Sequence, residues 1–479
     1  MKIHWLTKWV PLHLNTFPAS LTVAILLFTF FLVSCKREPE PEFRSFGNID
    51  FPITADDELM LDSIQYHAFL YFLELHHPEW GIVPDRMLHS APTNIAASGF
   101  ALPSLAVGVE RNWISREKAA QITLNMLNFF ANSHQGPEPV SSGYRGFFYR
   151  FLSMETGKRV WESELSTVDT GLLMMGVIFA RNYFNENNET EAKIRQQAKY
   201  LLERIDWEFM IVRGDGEFAN TIVMGWYPET GFHHMGWKGY NEALFLYILA
   251  AGLGLENAEQ SYEAWLSGYK WHTYYPGIEH VAFPPLFGHQ FSHAYIDFRG
   301  LADRFMRGKG ICYFENSRRA TLSQQRYAID NPHGWVGYDS LIWGVTASDG
   351  PGPAYNFNGK EFIEYAGRGA TSPEYNYFDD GTIAPYGPLS SLPFAPEIVI
   401  PTARAMIERY GHKIWGRFGF YDAFNPTANW VNDDFIGIAQ GPMLIMIENF
   451  RTGLVWNYVM KDPIIQKGLS RLGFEYIEK

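Results

Sequence analysis

The chain has few cysteines and few charged residues. Two of its 479 residues are cysteine, and 19% are charged. Two cysteines cannot form the disulfide framework that stabilises many small secreted domains. Low charge combined with 47% hydrophobic and 16% aromatic residues excludes an intrinsically disordered chain. The sequence therefore predicts a folded protein that is rich in aromatic side chains.

The chain also lacks basic runs and the common motifs of cofactor-dependent enzymes. With 39 basic and 52 acidic residues, its formal net charge is −13, which disfavours binding to nucleic acid phosphates. No P-loop, dinucleotide-binding glycine pattern, HExxH, CxxC or GxSxG motif is present. Adjacent histidines at 76–77 and 233–234 point in different directions and lack further ligands at fixed spacing. We therefore expect no metal, no cofactor and no nucleic acid partner.

The amino terminus has the composition of a secretory signal. Lys2 and Lys8 precede the apolar run Ala19–Val33, which is short for a membrane-spanning helix and is soon followed by charge. The tetrapeptide Leu32–Cys35 resembles a bacterial lipobox, so we expect Cys35 to be lipidated. The alternative is an uncleaved anchor helix. Either form predicts a protein held on a bacterial membrane and facing the periplasm or the cell surface.

Three segments follow from this interpretation. Residues 1–34 are predicted to be the signal peptide, residues 35–50 a lipidated tether, and residues 51–479 a single catalytic domain. The tether contains KREPEPEFRS at 36–45, whose proline and charges are typical of a stiff, solvated linker. Cys312, the other cysteine, is expected to be a small buried apolar residue. We expect a monomer.

Hydrophobic periodicity predicts an all-α domain. Ten segments carry apolar residues at helical spacing, namely 56–75, 95–109, 115–132, 166–183, 191–209, 241–253, 259–270, 315–329, 396–410 and 437–450. Several are apolar on all sides, as expected for inner helices covered by others, and they alternate with helices that have a polar face. This alternation predicts an (α/α)6 barrel with long irregular loops over one face. Twelve helices are expected, with the missing two placed within 287–301 and near the carboxyl terminus.

Two features indicate a binding surface. Between Trp335 and Pro396 the helical periodicity disappears, and a loop this long inside a compact domain is usually functional. Carboxylates also lie beside aromatic residues in three places: 161–169, 225–247 and the long loop itself. Sugar rings stack on Trp and Tyr through their apolar faces and need polar partners for their hydroxyls. A carbohydrate site is therefore predicted.

Three carboxylates are the candidate catalytic residues. Glu164, Asp169 and Glu242 lie at the predicted amino-terminal ends of inner helices. If the inner helices all begin at one rim, these side chains line one central cavity and can supply the two carboxyl groups that glycosidic cleavage requires. The alternative is that Asp169 and Glu242 are ordinary helix-capping residues.

The candidate substrate-binding residues are aromatic platforms and polar partners. They are Trp237, Tyr240, His234, Arg299, Trp335, Trp343, Asp349, Asp380 and Trp430. Each has a structural alternative. The aromatic residues could belong to the core. Asp349 and Asp380 each precede a glycine and could be turn residues, and Arg299 could pair with Asp297 or Asp303.

Several long segments resemble the glycoamylase-like domain family. They are 314–335 (FENSRRATLSQQRYAIDNPHGW), 343–351 (WGVTASDGP) and 379–397 (DDGTIAPYGPLSSLPFAPE), with shorter matches at 239–252, 293–300 and 437–456. The resemblance extends over about 164–456 and implies an (α/α)6 barrel. It also implies hydrolysis of β-1,2-glucan, either endo-acting or releasing sophorose from the non-reducing end of β-1,2-glucooligosaccharides.

The resemblance further implies residue roles. Glu242 is the candidate general acid, with inversion of configuration as the outcome, and Glu164 and Asp169 match the family's acidic segment ahead of an inner helix. No general base is identified, although Asp433 and Asp434 are additional candidates. Endo-acting cleavage of β-1,2-glucan is the favoured function. The alternatives are exo-acting release of sophorose, cleavage of an α-glucan, and a non-catalytic glycan-binding lipoprotein.

Overall fold

A computed structural model describes residues 51–87, 91–355, 359, 361–370 and 378–477. The described residues belong to one compact unit, Gly47–Lys479. The predicted signal peptide, 1–34, and the predicted tether, 35–50 with Cys35, lie outside the described residues. Among the helices that are described, none has both the length and the apolar character needed to cross a bilayer.

The described chain contains fifteen α-helices. The first eight are α1 Ala55–Glu74, α2 Ile95–Glu110, α3 Arg116–Asn132, α4 Thr167–Tyr183, α5 Glu189–Glu203, α6 Leu244–Gly252, α7 Ala258–Leu266 and α8 Phe291–Tyr295. The others are α9 Arg304–Lys309, α10 Tyr313–Asp330, α11 Tyr386–Leu389, α12 Pro396–Ile414, α13 Gly437–Arg451, α14 Leu454–Val459 and α15 Pro463–Arg471. Short 3-10 helices cover Trp207–Met210 and Leu286–His289.

The strands are two or three residues long and lie in the connections. The first nine are Thr93–Asn94, Gly143–Tyr144, Phe147–Tyr149, Phe151–Leu152, Leu165–Ser166, Gly225–Tyr227, Gly231–Phe232, Trp271–His272 and His280–Val281. The others are Leu301–Ala302, Ala347–Ser348, Ala366–Gly367, Trp415–Gly416, Gly419–Phe420, Phe424–Asn425, Trp430–Val431 and Glu475–Tyr476. Five of them form one antiparallel sheet, in which Leu165–Ser166 pairs with Phe147–Tyr149 on one side and Gly225–Tyr227 on the other.

The helices form an (α/α)6 barrel, as predicted. The inner ring consists of α2, α4, α6, α8, α11 and α13, which are buried almost all round. Helix α4 packs on α2 and α6, and α13 packs on α2, α8 and α11. Outer helices such as α3 and α5 keep a polar face toward solvent, so the alternation of apolar and amphipathic helices predicts the layer of each.

The expectation of two missing helices is half confirmed. Helix α8 lies within 287–301, as expected. The other missing inner helix is α11, which lies within the long region where periodicity is absent, and not at the carboxyl terminus. Helices of five and four residues complete little more than one turn, so they leave no periodic signal in the sequence. Helices α14 and α15 do exist, but α15 packs against the outside of α6.

Side chains fix the start of the inner helices. Asn94 Oδ1 accepts a hydrogen bond from the Ala96 amide at the start of α2, and Ser166 Oγ accepts one from the Asp169 amide at the start of α4. These N-caps satisfy amide groups that lack partners within the helix. At the start of α3, Ser115 Oγ accepts a hydrogen bond from the Lys118 amide in the same way. Cys312 is buried at the start of α10, as expected for a small apolar residue.

Candidate active site

The amino-terminal ends of the six inner helices meet at one cavity of about 420 Å³. Each inner helix contributes a residue at or next to its first turn to the wall, namely Ala96, Asp169, Glu242, Phe291, Tyr386 and Ile438. This arrangement confirms the expectation that inner helices begin at one rim. It also gathers residues that are far apart in sequence.

All three predicted catalytic carboxylates line this cavity. Glu164 immediately precedes the strand Leu165–Ser166, Asp169 lies in the first turn of α4, and Glu242 lies in the turn before α6. The periodicity predicts that this helix begins at about Glu242, but α6 begins two residues later, at Leu244. Asn241 accepts a hydrogen bond from the Ala243 amide through Oδ1 and thereby fixes the turn that carries Glu242.

Asp169 combines the two roles considered for it. Its Oδ2 accepts a hydrogen bond of 2.5 Å from the Ser166 hydroxyl, whose oxygen in turn accepts from the Asp169 amide. This reciprocal pair is a cap for α4. Since Asp169 also lines the cavity, its position at the helix start does not exclude it from the site.

Arg150 joins the site, and the sequence interpretation missed it. It lies between the strands Phe147–Tyr149 and Phe151–Leu152, and its amide donates to the Glu164 carbonyl. Its Nη1 lies 3.7 Å from Glu164 Oε1 and its Nε lies 4.0 Å from Asp169 Oδ2. A single arginine within the aromatic run FFYRF was the available signal. The guanidinium places positive charge between two of the carboxylates.

Glu242 has the electrostatic properties of a proton donor. The pKa of its carboxyl is raised to about 7, mainly because the group is buried. The nearby Asp169 charge acts in the same direction, whereas a backbone hydrogen bond of Glu242 and the charge of Arg150 oppose the change. Desolvation disfavours the charged form of a carboxyl group, and a like charge acts in the same direction. A carboxyl group with a pKa near 7 is still protonated in a large fraction of molecules at neutral pH and can act as a general acid.

A second cavity of about 730 Å³ adjoins the first. Glu242, Trp237, Met224 and Phe287 line both, so the two spaces are lobes of one cleft with Glu242 at their junction. Two predicted substrate-binding residues lie here. Trp237 lines both lobes and donates from Nε1 to Thr167 Oγ1, and Tyr240 lines the second lobe beside His289, with ring centroids 4.9 Å apart.

His234 is not part of the cavity wall. Its side chain is exposed, whereas His233 lines the first lobe. The two imidazole rings lie 4.4 Å apart and are tilted by 34°, so His234 contacts the cleft residue His233 from the solvent side. The structure therefore places His233, and not the predicted His234, in the wall of the first lobe.

Four other predicted substrate contacts are corrected by the structure. Trp343 is completely buried, and Trp335 is buried and donates from Nε1 to Asp379 Oδ2. Trp430 lies in a two-stranded hairpin, outside the walls of both lobes. Arg299 donates to both oxygens of Asp297 and lies over the ring of Trp456. The structural alternatives therefore hold for the buried tryptophans and for Arg299.

Asp349 and Asp380 are also engaged within the protein. Asp380 is completely buried and pairs with Arg368 at 2.8 Å and 3.0 Å. Asp349 accepts from Arg86 at 3.0 Å and from Asn432 at 2.8 Å. Both of these donors contact the same oxygen of Asp349, Oδ2. The two aspartates therefore help to fix the long loop, and neither of them lines either lobe of the cleft.

The long loop nevertheless reaches the site through residues not predicted. Ala347, Tyr365 and Tyr386, from the region 335–396, line the first lobe. Behind these tyrosines, Asp422 is buried and accepts from the Asp349 amide, and burial together with the Asp349 charge raises the pKa of Asp422 to about 8. Of the two further base candidates, Asp434 is buried beside Arg86 and Asp433 is exposed.

Within the part of the chain that the structure describes, no group of three or more His, Cys, Asp or Glu side chains is arranged to hold a metal ion. The charged groups that line the first lobe include Glu242, Glu164, Asp169 and Arg150. A neutral carboxyl group facing two carboxylates and a guanidinium is suited to acid–base catalysis.

Comparison with known proteins agrees with this geometry. Residues 234–463 match the family model named Glycoamylase, "Putative glucoamylase". A crystal structure from Bacteroides uniformis, described by the same two words, is 31% identical, with a TM-score of 0.76 over 89% of this chain and 99% of that one. The endo-beta-1,2-glucanase of Chitinophaga pinensis, solved with sophorotriose and glucose, is 26% identical, with a TM-score of 0.73 over 89% of this chain and 100% of that one.

A curated relative extends the comparison. The exo beta-1,2-glucooligosaccharide sophorohydrolase (non-reducing end) of Parabacteroides distasonis is 30% identical over 459 residues, which is 88% of this chain. The chain spans 58% of the length of that relative. The family match includes Glu242, and the matched structures extend over nearly the whole barrel. The chain therefore belongs to the glycoamylase-like domain family.

Proposed function

We propose that the protein is a glycoside hydrolase that cleaves β-1,2-glucosidic bonds in β-1,2-glucan. The observation that carries this proposal is the position of Glu242, whose carboxyl has a pKa of about 7 and faces two further carboxylates in one open cleft. The substrate is proposed from the relatives, which are named for β-1,2-glucan and its oligosaccharides. Trp237 supplies an aromatic wall on both sides of Glu242.

Glu242 acts as the general acid. Its proton passes to the glycosidic oxygen while the bond from that oxygen to the anomeric carbon breaks. A water molecule attacks the same carbon from the opposite face and loses its proton to a carboxylate. We assign this second role to Glu164, because its carboxylate faces the cavity with Arg150 3.7 Å away, whereas Asp169 is already engaged by Ser166. The product has inverted configuration.

The two lobes support internal cleavage. Because Glu242 lies where they join, a bound chain can place glucosyl units on both sides of the scissile bond. A closed pocket on one side would instead restrict the substrate to a chain end. We therefore propose an endo-acting enzyme. The rival is exo-acting release of sophorose, which is the activity in the name of the Parabacteroides distasonis relative.

A time course with linear β-1,2-glucan tests this proposal. Chromatography of early products is expected to show a ladder of sizes, and proton NMR is expected to show the α-anomer first. Sophorose as the first and sole product would support the exo alternative. Binding of the glucan without products would favour the glycan-binding alternative. Activity on an α-glucan but not on the β-1,2-glucan would contradict the substrate assignment.

We also propose that the mature protein is anchored through lipid at Cys35 and faces the periplasm or the cell surface. The support is the lipobox-like sequence at 32–35 and the charged, proline-containing tether that follows. Cells grown with a labelled fatty acid are expected to yield a labelled membrane-bound protein. The Cys35→Ala variant is expected to lose the label, and a label that persists would contradict the assignment.

A further inference from the structure

A third cavity, of about 440 Å³, is lined by an exposed tryptophan, Trp161. Its wall includes Trp161, Val160, Met154, Pro92 and Glu155. The Trp161 side chain is 67% exposed. We name this space the Trp161 pocket. An apolar wall with an open indole ring and a nearby carboxylate offers a sugar both a stacking face and a hydroxyl partner.

The backbone at Trp161 is unusual for so large a residue. Trp161 and Glu162 have φ values of 58° and 51°, and the Ser163 amide donates to the Val160 carbonyl at 3.2 Å. This is a tight turn with two left-handed central residues, for which Asn and Gly are strongly preferred. A bulky residue in the left-handed region costs free energy. The exposed position of the indole ring therefore comes with unfavourable local backbone free energy.

Neighbouring contacts hold the turn rigidly. The Val160 amide donates to the Phe151 carbonyl at 3.1 Å, and Arg159 Nε donates to the Ser163 carbonyl at 2.6 Å. The guanidinium of Arg159 also forms two hydrogen bonds with Glu229. A surface that is already ordered loses little conformational entropy when a ligand binds.

The Trp161 pocket is linked to the catalytic cleft by a single side chain. The rings of Trp161 and Phe151 meet edge to face with centroids 5.1 Å apart, and the guanidinium of Arg150 lies 5.0 Å from the centroid of Phe151. Arg150 lines the first lobe beside Glu164. A glucan chain that leaves the cleft along this edge would reach the indole next.

We propose that the Trp161 pocket is a distal glucan-binding site, in which the indole stacks on a glucosyl unit several positions from the scissile bond. The proposal rests on the proposed function. The site lies beyond Arg150, so it contributes to the binding of long chains and not to that of the shortest cleaved oligosaccharide. It adds uniform binding energy, because it contacts no reacting atom.

Kinetics with two substrate lengths test the site. On long β-1,2-glucan, Trp161→Ala is expected to raise KM about three- to tenfold, the range that one aromatic contact supplies, with kcat unchanged. On the shortest oligosaccharide cleaved, neither constant should change. Trp161→Tyr is expected to retain most of the affinity. Tyr200→Ala, which removes an exposed aromatic residue from the outer helix α5, is the matched control.

Trp161→Asn separates a binding role from a structural one. Asn tolerates the left-handed backbone, so this variant is expected to keep or raise the melting temperature while it loses affinity for long glucan. A fall in melting temperature, or equal losses on long and short substrates, would overturn the proposal, as would an unchanged KM on long glucan. If the wild type cleaves no β-1,2-glucan, the proposed function fails. Affinity electrophoresis in that glucan then tests the pocket alone, with unaltered migration of Trp161→Ala overturning it.

Discussion

The clusters around Arg86 and Arg150 each combine an arginine with two or more carboxylates, and they differ in how tightly the carboxylates are held. Around Arg86, Asp349 and Asp434 lie 3.0 Å and 3.3 Å from Nη1, and Asp85 lies 3.6 Å from Nε. Around Arg150, the corresponding distances to Glu164 and Asp169 are 3.7 Å and 4.0 Å. The first cluster is closed and the second is open.

Hydrogen bonding explains the difference. In the Arg86 cluster, the Met87 and Phe435 amides donate to Asp434, Asn432 donates to Asp349, and a further amide side chain donates to Asp85. These hydrogen bonds and ion pairs connect loops that are far apart in sequence. In the Arg150 cluster, the carboxylates line a cavity and Glu242 has a raised pKa. Acidic residues around an arginine therefore indicate an active site when their carboxylates line a cavity that can hold a ligand.

The largest expected effect is on catalysis in the open cluster. Glu242→Gln removes the acid proton while it preserves the shape of the side chain. We expect kcat/KM on β-1,2-glucan to fall by about 10²- to 10⁴-fold, the contribution of general acid catalysis, with the melting temperature unchanged or raised. Glu263→Gln, at an exposed ion pair on α7, is the control and should keep full activity. A variant at Glu242 that retains activity would remove this residue as the acid.

The next largest effect is on the stability of the closed cluster. Arg86→Met leaves buried carboxylates without their cation, and breaking such a cluster is expected to lower the free energy of unfolding by about 3 kcal/mol. Arg326→Met, which breaks an exposed pair with Asp330, should cost less than about 1 kcal/mol. Urea denaturation measures both. Equal losses in the two variants would show that the Arg86 cluster is not a stabilising unit.

A smaller effect concerns the pH dependence of stability. The pKa of Asp422 is raised from 3.8 to about 8 in the fold, so between these values the unfolded chain binds fewer protons than the native one. The free energy of unfolding therefore falls as pH rises through this range. Asp422→Asn removes this loss and should be the more stable protein at pH 8, by on the order of 1 kcal/mol or more. The difference should vanish near pH 4, and equal pH slopes for both proteins would contradict this account.

The smallest effect is a shift in the pH profile. Asp169 raises the pKa of Glu242 through its negative charge, so Asp169→Asn should move the alkaline limb of kcat/KM to lower pH. Asp434→Asn removes a carboxylate from the closed cluster and should leave that limb in place. The profiles of the two folded variants decide this prediction. If the alkaline limb moved with Asp434→Asn and not with Asp169→Asn, the claim that the Arg150 cluster and not the Arg86 cluster sets the pKa of Glu242 would be contradicted.

Parts of this account could be predicted from the sequence because they depend on periodic patterns. The fully apolar sequences of α2 and α4 identify them as inner helices. The alternation of such helices with amphipathic ones is enough to predict the barrel and the rim that brings Glu164, Asp169 and Glu242 together. The short helices α8 and α11 complete the inner ring with too few residues to produce a pattern. Their positions follow from packing against α13, which local sequence does not encode.

The errors at the site have a different physical origin. A tryptophan such as Trp343 can be a core residue or a stacking platform, and the residue type alone does not distinguish the two roles. Asp380 was interpreted from its place in a polar loop, but Arg368, twelve residues before it, neutralises it in the interior. Arg150 was overlooked because its partners, Glu164 and Asp169, are brought to it by strand pairing. These contacts are tertiary, so they cannot be predicted from a local sequence motif.

The protonation state of Glu242 tests the central claim most directly. Side-chain carboxyl resonances can be followed by NMR in protein labelled at glutamate, with Glu242→Gln used for assignment, alongside the pH dependence of kcat/KM. The account predicts that the Glu242 carboxyl titrates near pH 7 and that the alkaline limb of kcat/KM has the same midpoint. Titration of Glu242 near the ordinary value of 4.5, or a limb that does not coincide with it, would contradict the assignment of Glu242 as the acid.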